Sequence, residues 1–342
     1  MAVYKGNIEI TTINYGNSLV SEIYKGNQLV YSMPVAEINY IFKDLDNYGN
    51  LTSPTGSLED GSAIAEIKEY MLDNAFYGCT GLNGTVSFPK LTTVGQYGMN
   101  QTFYGCTDIT GSVSFPELTT ISGNYGLYQA FYDCTGLTGT VSFPKLTTVG
   151  QYGLQDAFYN CTGLTGSVSF PELTDVNNYS CLNSCFYGCT GLTSVSFPKL
   201  TTSRDYGLLS CFSGCTGLTS VSFPKLTNAA KGTLEKTFYG CTGLTSVSFP
   251  KLATVTHDSS WIGKKHGGCK QCFEGCINLQ SIYFYALKSC GNTSFASMLT
   301  GVTGCTVHFP SNMESTMSSL GSVTAGFGGT DTTVLFDLPS SE

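Results

Sequence analysis

Charge is scarce in this chain, and arginine is almost absent. Only 12% of the 342 residues are charged, Arg204 is the single arginine, and the net charge is −8. Proteins that bind nucleic acid neutralise its phosphates with clustered lysine and arginine side chains. Because no such cluster is present, the composition argues against a nucleic-acid partner.

Long apolar runs are also missing. The sequence contains no stretch of 18 apolar residues, so it predicts no membrane-spanning helix. The first residues, Met1–Gly6, lack the apolar stretch of a secretory signal, and neither a lipid-attachment cysteine nor an anchor is evident. An exported protein would therefore need a leader that has been removed. A phage structural protein, in contrast, is released by lysis of its host.

The residues of common catalytic sites are few. The histidines are His257, His266 and His308, and no GxSxG, HExxH or phosphate-loop pattern occurs. No serine has an evident partner base in the sequence. We therefore predict a protein that is not an enzyme and that uses no cofactor.

What the sequence does contain is a repeat. A motif of the form AFYGCTGL…VSFPKL returns every 26 to 28 residues. A fixed period of this length indicates a solenoid, in which each repeat stacks on its neighbours to complete the core. Such arrays build long regular surfaces rather than closed clefts, which favours binding over catalysis. The cysteine of the motif recurs at Cys79, Cys106, Cys134, Cys161, Cys189, Cys215 and Cys241.

One repeat combines two periodic patterns. Around Cys134, apolar residues stand at the i, i+3, i+4 and i+7 spacing of a short helix with one buried face. They are Leu127, Ala130, Phe131 and Cys134. A Thr-Gly turn follows, and the alternating segment 140–143 predicts a strand with Val141 and Phe143 pointing inward. We therefore predict an α/β repeat, with one short strand and one short helix in each repeat.

The pattern A-F-x-x-C-x-x-L-x-x-V-x-F-P, over about residues 62 to 310, resembles the BspA-like class of leucine-rich repeat. This resemblance implies a leucine-rich-repeat solenoid. Members of the class are mostly surface-exposed proteins of host-associated microbes that act in adhesion and in protein or glycan binding. We expect three parts: residues 1–60 as an N-terminal β module and linker for attachment, residues 61–310 as the solenoid, and residues 311–342 as a C-terminal cap.

The fifteen cysteines are predicted to be reduced. Equivalent cysteines of neighbouring repeats would lie about 4.8 Å apart, within reach of a disulfide. Stacking, however, points their side chains in parallel rather than at each other, so we expect a ladder of buried thiols. Cys181 and Cys290 fall outside this ladder, and for them a disulfide stays open.

A zinc site is the alternative for some of these cysteines. His266, Cys269 and Cys272, with His257 or Cys276 as a fourth ligand, have suitable chemistry. The three cysteines occupy the Leu, Ala and Cys positions of the repeat. We therefore expect them to face the core and predict no metal site.

The segments that flank the repeats carry signals of their own. Val3–Asn7 and Ile23–Asn27 repeat one motif among alternating apolar residues, so residues 1–32 are predicted to form a small β meander or a pair of hairpins. Short segments of this form resemble modules in tail and head-decoration proteins of phages that infect gut bacteria. At the other end, Ser311–Leu320 predicts a helix and Thr332–Phe336 a strand, which together would cap the solenoid.

Equivalent side chains should form rows along the solenoid. A row of serines, from Ser87 to Ser248, would solvate a strand face or bind a glycan. A row that alternates in sign predicts ion pairs between adjacent repeats. It consists of Lys90, Glu117, Lys145, Glu172 and Lys199, and Lys225 and Lys251 end the alternation.

Two rows of tyrosine are stronger candidates, because a tyrosine ring offers a large contact area and can stack on a sugar. One row contains Tyr97, Tyr125, Tyr152, Tyr179 and Tyr206; the other contains Tyr77, Tyr104, Tyr132, Tyr159, Tyr187 and Tyr239. We predict ligand binding by Tyr97, Tyr125, Tyr152, Tyr104, Tyr132, Tyr159 and Tyr187. The alternative is that the rings pack between repeats as an aromatic ladder with only the hydroxyls exposed.

An insertion at residues 254–268 lengthens one repeat. It carries Trp261, the single tryptophan, together with His257, Lys264 and Lys265. An outgrowth of this kind is a place where a specific contact is added, so we predict that these four residues bind a ligand. The alternative is a tolerated surface loop.

Together these features predict a non-enzymatic phage virion surface protein, a tail or head fibre or decoration. Its repeats would bind a host-surface glycan or protein, and residues 1–60 would hold other virion proteins. One alternative is an exported bacterial cell-surface adhesin of the BspA-like class. Another is a structural cement that contacts only other virion proteins. The sequence leaves a homo-oligomer open.

Overall fold

The computed structural model describes most of the repeat region and parts of the two ends of the chain. The described residues are 3–5, 8–11, 20–25, 28–34, 65–79, 82, 84–176, 178–256, 266–291, 293–319 and 326–340.

The N-terminal strands form an antiparallel meander. Its hydrogen-bonded order β1-β2-β3-β4 follows the chain, which confirms the predicted β module. The strands are β1 (Val3–Lys5), β2 (Ile8–Thr11), β3 (Val20–Lys25) and β4 (Gln28–Pro34).

From residue 65 onward the chain winds into a parallel solenoid with two strand-lined faces, and each turn of the winding is called a rung. The first face, the serine face, carries β6 (Val86–Ser87), β8 (Val113–Ser114), β10 (Val141–Ser142), β12 (Gly166–Ser169), β14 (Leu192–Ser196), β16 (Ser220–Ser222), β18 (Ser246–Phe249), β20 (Ser281–Phe284), β22 (Thr306–Pro310) and β23 (Thr333–Leu338). Strands of successive rungs pair in parallel, with equivalent residues side by side.

The second face, the short-strand face, is built from two-residue strands. They are β5 (Glu66–Ile67), β7 (Thr93–Val94), β9 (Thr120–Ile121), β11 (Thr148–Val149), β13 (Asp175–Val176), β15 (Thr202–Ser203), β17 (Asn228–Ala229), β19 (Thr254–Val255) and β21 (Ser289–Cys290). A solenoid is therefore confirmed.

The core runs the length of the solenoid as stacked columns of apolar side chains. On the serine face, Val and Phe point inward and Ser points outward, as in the burial of Ser246–Phe249. One column of phenylalanines contains Phe131, Phe158 and Phe186, with ring centroids 5.1 and 5.2 Å apart. These rings are fully buried, and each contributes about 1.5–3 kcal/mol to folding.

The segment predicted to be a helix in each repeat is instead a run of turns, which forms the third side of the solenoid, the turn face. In 97–106, every second backbone N–H donates to the next rung: Met99 N lies 2.8 Å from Gly126 O. The N–H groups between them close local turns, as from Gly98 N to Gly95 O at 3.0 Å. An α-helix would use all these groups within one segment.

The same conformation explains why the sequence pattern misled. Tyr97, Gln101 and Gly105 all have positive φ, so the backbone repeats every four residues. Leu127 and Phe131 are four apart, and this repeat turns them inward as a helix would. Left-handed residues cost roughly 1–2 kcal/mol each for side chains other than glycine. The hydrogen bonds between rungs offset that cost.

The early repeats have a glycine before the strand of the serine face that the later repeats lack, at Gly84, Gly111, Gly139 and Gly166. The last of these glycines lies at a local irregularity. Between β12 and β14 the pairing shifts register at Gly166 and Ser167. Gly166 has φ of 77°, a conformation that favours glycine. The hydrogen-bonded ladder of the serine face is also divided between β10 and β12 and again between β16 and β18.

The C-terminal end closes the solenoid with the predicted helix and strand. A 3-10 helix (Ser311–Met313) runs into α1 (Glu314–Ser319), whose Met317 is buried together with Met313. The strand β23 then pairs in parallel with β22. The cap therefore covers apolar core with two methionines and extends the serine face by one strand.

Candidate binding surfaces

The tyrosine ladder consists of Tyr77, Tyr104, Tyr132, Tyr159 and Tyr187 on the turn face. Neighbouring ring centroids lie 4.5 to 4.7 Å apart, and the ring planes are 1 to 6° from parallel. Inside the ladder, both faces of each ring are covered by other rings. Only ring edges and hydroxyls are left for a ligand. This arrangement is the aromatic ladder that the sequence offered as the alternative to sugar stacking.

Burial in the ladder also alters the chemistry of its hydroxyls. Burial, together with the nearby Tyr159 and Asp133, raises the pKa of Tyr132 to about 12. The hydroxyl therefore stays protonated across the physiological range and remains a hydrogen-bond donor. The ladder ends after Tyr187, because the buried Ser213 occupies the next tyrosine position.

The second tyrosine row is stacked only over its first four rings. Tyr70, Tyr97, Tyr125 and Tyr152 lie 4.7 to 4.9 Å apart. Tyr179 then meets Tyr152 edge-on at 5.8 Å. In this rung the positive φ falls on Ser180 rather than on the tyrosine, so the ring is displaced by one residue.

Beside the tyrosines runs a row of amides and carboxylates that link adjacent rungs. Gln101 Nε2 donates to Gln129 Oε1 at 2.7 Å, and Asn160 Nδ2 donates to Asp133 Oδ1 at 2.8 Å. Asp156 continues the first row, and burial raises its pKa to about 6, although hydrogen bonds from Gln155 and Gln129 oppose the shift. These contacts hold neighbouring rungs in register.

The four candidate residues of the insertion, His257, Trp261, Lys264 and Lys265, lie outside the described residues. Their ligand-binding role stays a prediction. The end of the insertion is anchored on the turn face, where His266 Nδ1 lies 2.8 Å from Oε2 of the buried Glu235. The His266 ring also meets Tyr206 edge-on at 5.0 Å.

All fifteen cysteines are free thiols, Cys181 and Cys290 included. From Cys106 to Cys241, each thiol of the ladder donates to the backbone carbonyl of a phenylalanine in the preceding rung. Cys134 Sγ lies 2.9 Å from Phe103 O, and Cys161 Sγ lies 3.0 Å from Phe131 O. Burial raises the pKa of both thiols well above the usual value, so they stay protonated and can donate.

The cysteines of the zinc alternative take part in this core. Cys269, Cys272 and Cys276 are all buried, as their repeat positions predicted. Cys276 Sγ donates to Phe238 O at 3.0 Å, like the other ladder thiols. The part of the chain that the structure describes holds no group of three or more side chains placed to bind a metal ion.

Two of the predicted ion pairs between repeats are present, both in the first half of the solenoid. Lys145 Nζ lies 2.6 Å from Glu117 Oε2, and Lys199 Nζ lies 2.6 Å from Glu172 Oε2. Lys225 and Lys251 follow in the same row and are exposed. Neither forms an ion pair with any residue in the described ranges.

The serine face ends in a feature that sequence reasoning missed, the aromatic wall of Tyr283 and Tyr285. Tyr283 stands on the outer side of β20 and Tyr285 directly follows the strand, with ring centroids 5.7 Å apart and planes 14° from parallel. His308, on the next strand, stacks on Tyr283 at 4.4 Å. The signal was visible in the sequence, because tyrosines replace the Ser and the Pro of the repeat at these two positions.

The comparison with protein families agrees with this fold. The BspA type leucine-rich repeat region matches in 6 copies over residues 40–183, 154–264 and 269–320. These segments span more than half of the chain, so the chain belongs to the BspA-type leucine-rich repeat family. No curated protein matches the chain. The weaker resemblance of residues 1–60 to phage modules is not shown by these matches and stays a prediction.

Among solved structures, the chain is similar to a leucine-rich repeat protein from Bacteroides ovatus ATCC 8483. The two share 21% identity, the match covers 82% of this chain and 86% of that chain, and the TM-score is 0.34.

The family bears on the kind of role. Its repeats indicate a surface, adhesin-type role in protein binding, and its fold is generally non-enzymatic. No helix in the described ranges combines the length and apolar character that crossing a membrane requires.

Proposed function

We propose that the chain is a surface-displayed adhesin whose solenoid binds a protein or glycan on a host surface. One observation carries the proposal: outward-facing side chains are held in rows at the spacing of the rungs by a continuous core. In the tyrosine ladder this spacing is 4.5 to 4.7 Å. No closed catalytic cleft is needed for such a surface to act.

The physical advantage of these rows is preorganisation. A ligand that contacts several rungs at once meets side chains whose rotamers are already restricted by stacking, so little conformational entropy is lost on binding. Many copies on one surface would add avidity, so that weak contacts at single sites suffice.

The direct test measures binding of the purified full chain to cultured epithelial cells. We expect saturable binding that the unlabelled chain competes away and that thermal unfolding of the protein abolishes. Binding that does not saturate, or that survives unfolding, would contradict the proposal. Deletion of residues 257–265, which leaves the anchored His266 in place, tests whether the insertion contributes.

A second candidate places the same binding role on a phage particle, attached through residues 1–60. The observation that favours it is the motif shared by Val3–Asn7 and Ile23–Asn27, whose Tyr-Lys pairs lie on β1 and β3 of the meander. Immunogold electron microscopy of a lysate, with antibody against the solenoid, separates the two. Gold on particles favours the phage, and gold on cell envelopes with bare particles favours the bacterial adhesin.

A structural cement would also label particles. It differs in its partners, because it contacts only other virion proteins. The test removes the 257–265 segment and the exposed tyrosines. If the labelled particles then attach to the host as before but their assembly is altered, the protein is a structural cement.

A further inference from the structure

We propose that the serine face carries, beside the aromatic wall, a binding site for an acidic glycan, a chain of pyranose sugars that bear carboxylates. The inference rests on the adhesin-type function proposed above and names a ligand class and a site for it. Four features support this site: a braced ring, an open ring face, unpaired hydroxyls and unpaired lysines.

The wall is rigid because it is braced from behind. Tyr283 stacks on His308 with ring centroids 4.4 Å apart and planes 9° from parallel. His308 Nδ1 lies 2.9 Å from Asp337 on β23, which fixes the imidazole ring. Tyr285 lies next to Tyr283, with its ring centroid 5.7 Å away and its plane 14° from parallel, and is 43% exposed. The side chains of the wall therefore lose little conformational entropy when a ligand stacks on them.

The other side of the wall is open. The register pairs Tyr283 with His308 on one side and with Ser248 on the other. Because the rings stack along the solenoid axis, the free face of Tyr283 points over Ser248 and, one rung further, Ser222. In the tyrosine ladder another ring fills this place. Here the side chains are short, so the space suits a flat ligand about one rung spacing thick, ~4.8 Å.

The floor of this space consists of hydroxyl groups. Ser220, Ser222, Ser246 and Ser248 are all exposed, and none forms a side-chain hydrogen bond within the described residues. In the earlier rungs, Ser167 and Ser194 bond to each other instead. Unpaired hydroxyls can donate to and accept from the hydroxyls of a sugar, while the C–H face of the sugar covers the tyrosine ring.

The rungs are also further apart at this floor. The hydrogen-bonded ladder is interrupted between β16 and β18, and the rings of Phe223 and Phe249 beneath it lie 6.4 Å apart. The neighbouring pair, Phe197 and Phe223, is spaced at 5.1 Å. The wider spacing between these rungs coincides with the exposure of the four serines.

The margin of the site is positive in a chain whose net charge is −8. Phe249 pairs with Phe284, so Pro250 lies beside Tyr285 and Lys251 follows it. Lys225 holds the equivalent position one rung earlier. Both lysines are exposed, and neither has an ion-pair partner among the described residues. Two free ammonium groups next to a hydroxyl floor select a carboxylate on the ligand.

The test measures the dissociation constant of the full chain for three probes. They are a galacturonate tetramer, a hyaluronan hexasaccharide and a sialic-acid dimer, each compared with its carboxyl methyl ester. We expect at least one acidic probe to bind and its ester to bind at least tenfold more weakly. Tyr283→Ala and the double variant Lys225→Gln/Lys251→Gln should each weaken binding by about tenfold, which corresponds to about 1.4 kcal/mol.

A matched control lies on the turn face. Tyr239 is 38% exposed, and Lys236 Nζ lies 6.0 Å from its ring centroid. Tyr239→Ala and Lys236→Gln remove the same residue types at another site and should leave probe binding unchanged. All the substituted side chains lie on the surface, so we expect every variant to fold. Thermal unfolding of each variant checks this.

Three results would overturn the proposal: no acidic probe binds, the esters bind as well as the acids, or the control variants lose as much affinity as the site variants. Preference for an acidic peptide of matched charge over all three sugars would also overturn it. The epithelial-cell assay separates the two proposals. If Tyr283→Ala leaves cell binding intact, only the glycan site is contradicted. If the chain binds a probe but does not bind cells, only the adhesin function is contradicted.

Discussion

The two halves of the solenoid share a core but differ in their surfaces. Phenylalanines stack from Phe88 to Phe309 on the serine face without a missing ring. On the outside, the tyrosine ladder ends at Tyr187 and the ion pairs end at Lys199. Beyond them stand the aromatic wall and two lysines, Lys225 and Lys251, that have no ion-pair partner among the described residues. The core thus sets the shape of the rod, while each outer row varies independently of it.

Spacing also differs between the halves. Phe158 lies 5.1 and 5.2 Å from its two stacking neighbours, whereas Phe238 lies 6.1 and 5.7 Å from its own. Dispersion attraction falls steeply with such a gap. In the second half the stacking is therefore looser around Phe238 and between Phe223 and Phe249, close to where its surface departs from the repeat. The following substitutions test that contrast.

The largest expected effect comes from removing a stacked phenylalanine. Phe158→Ala should lower the free energy of unfolding by about 3–5 kcal/mol, because it opens a cavity in a tightly packed column. Phe238→Ala should cost less, by about 1 kcal/mol or more, since its contacts are longer. Urea unfolding followed by circular dichroism measures both. Equal losses would mean that the wider spacing has no energetic consequence.

Asp156 gives the first half of the solenoid a pH-dependent stability. Its pKa is raised from 3.8 to about 6 in the folded chain, mainly by burial. The folded state therefore binds this proton more tightly than the unfolded state, and the stability that protonation contributes is lost as the pH rises from about 3.8 to about 6.

Asp156→Asn should remove this loss. We expect the variant to be more stable than the parent by about 1–2 kcal/mol at pH 7.5, after allowance for partial exposure, and equal to it near pH 3.5. The amide also offers a donor to Gln155 Oε1, which is buried without a hydrogen-bond partner. Thermal unfolding across this pH range is the measurement, and a gain that does not change with pH would contradict the assignment.

The thiol ladder should behave alike in both halves. Cys161 Sγ and Cys241 Sγ donate to phenylalanine carbonyls at 3.0 and 3.1 Å. Replacing either with alanine removes one weak hydrogen bond and a buried sulfur, so each should cost about 1 kcal/mol. Urea unfolding of the two variants compares them. A large difference between them would show that the looser stacking around Phe238 extends to the thiol ladder.

The smallest effects concern surface charge. Lys145→Ala breaks a pair with Glu117 and should cost only a few tenths of a kcal/mol at low salt, an effect that fades as ionic strength rises. Lys225→Ala, in the same row but without an ion-pair partner in the described residues, should leave stability unchanged. Thermal midpoints at low and high salt compare the two variants. A clear loss for Lys225→Ala would mean that its charge stabilises the fold.

Much of this protein follows from its sequence alone. The period predicts the solenoid, the inward column of Phe and Cys, the free thiols and the ion pairs between repeats. The reason is that identical repeats stacked at one rung spacing place equivalent side chains directly beside each other. The aromatic wall was also readable, since Tyr283 and Tyr285 break the repeat at its Ser and Pro positions.

Only the tertiary structure decided three matters. The spacing of Leu127, Ala130, Phe131 and Cys134 fits a helix and a four-residue run of turns equally well, and the hydrogen bonds from one rung to the next select the turns. The tyrosine ladder is closed because its rings lie a single rung apart. The open face of Tyr283 exists only because β20 pairs it with a serine on one side and a histidine on the other. The sequence of a repeat shows which side chains point outward. Which side chains of adjacent rungs lie next to each other is set by how the rungs stack.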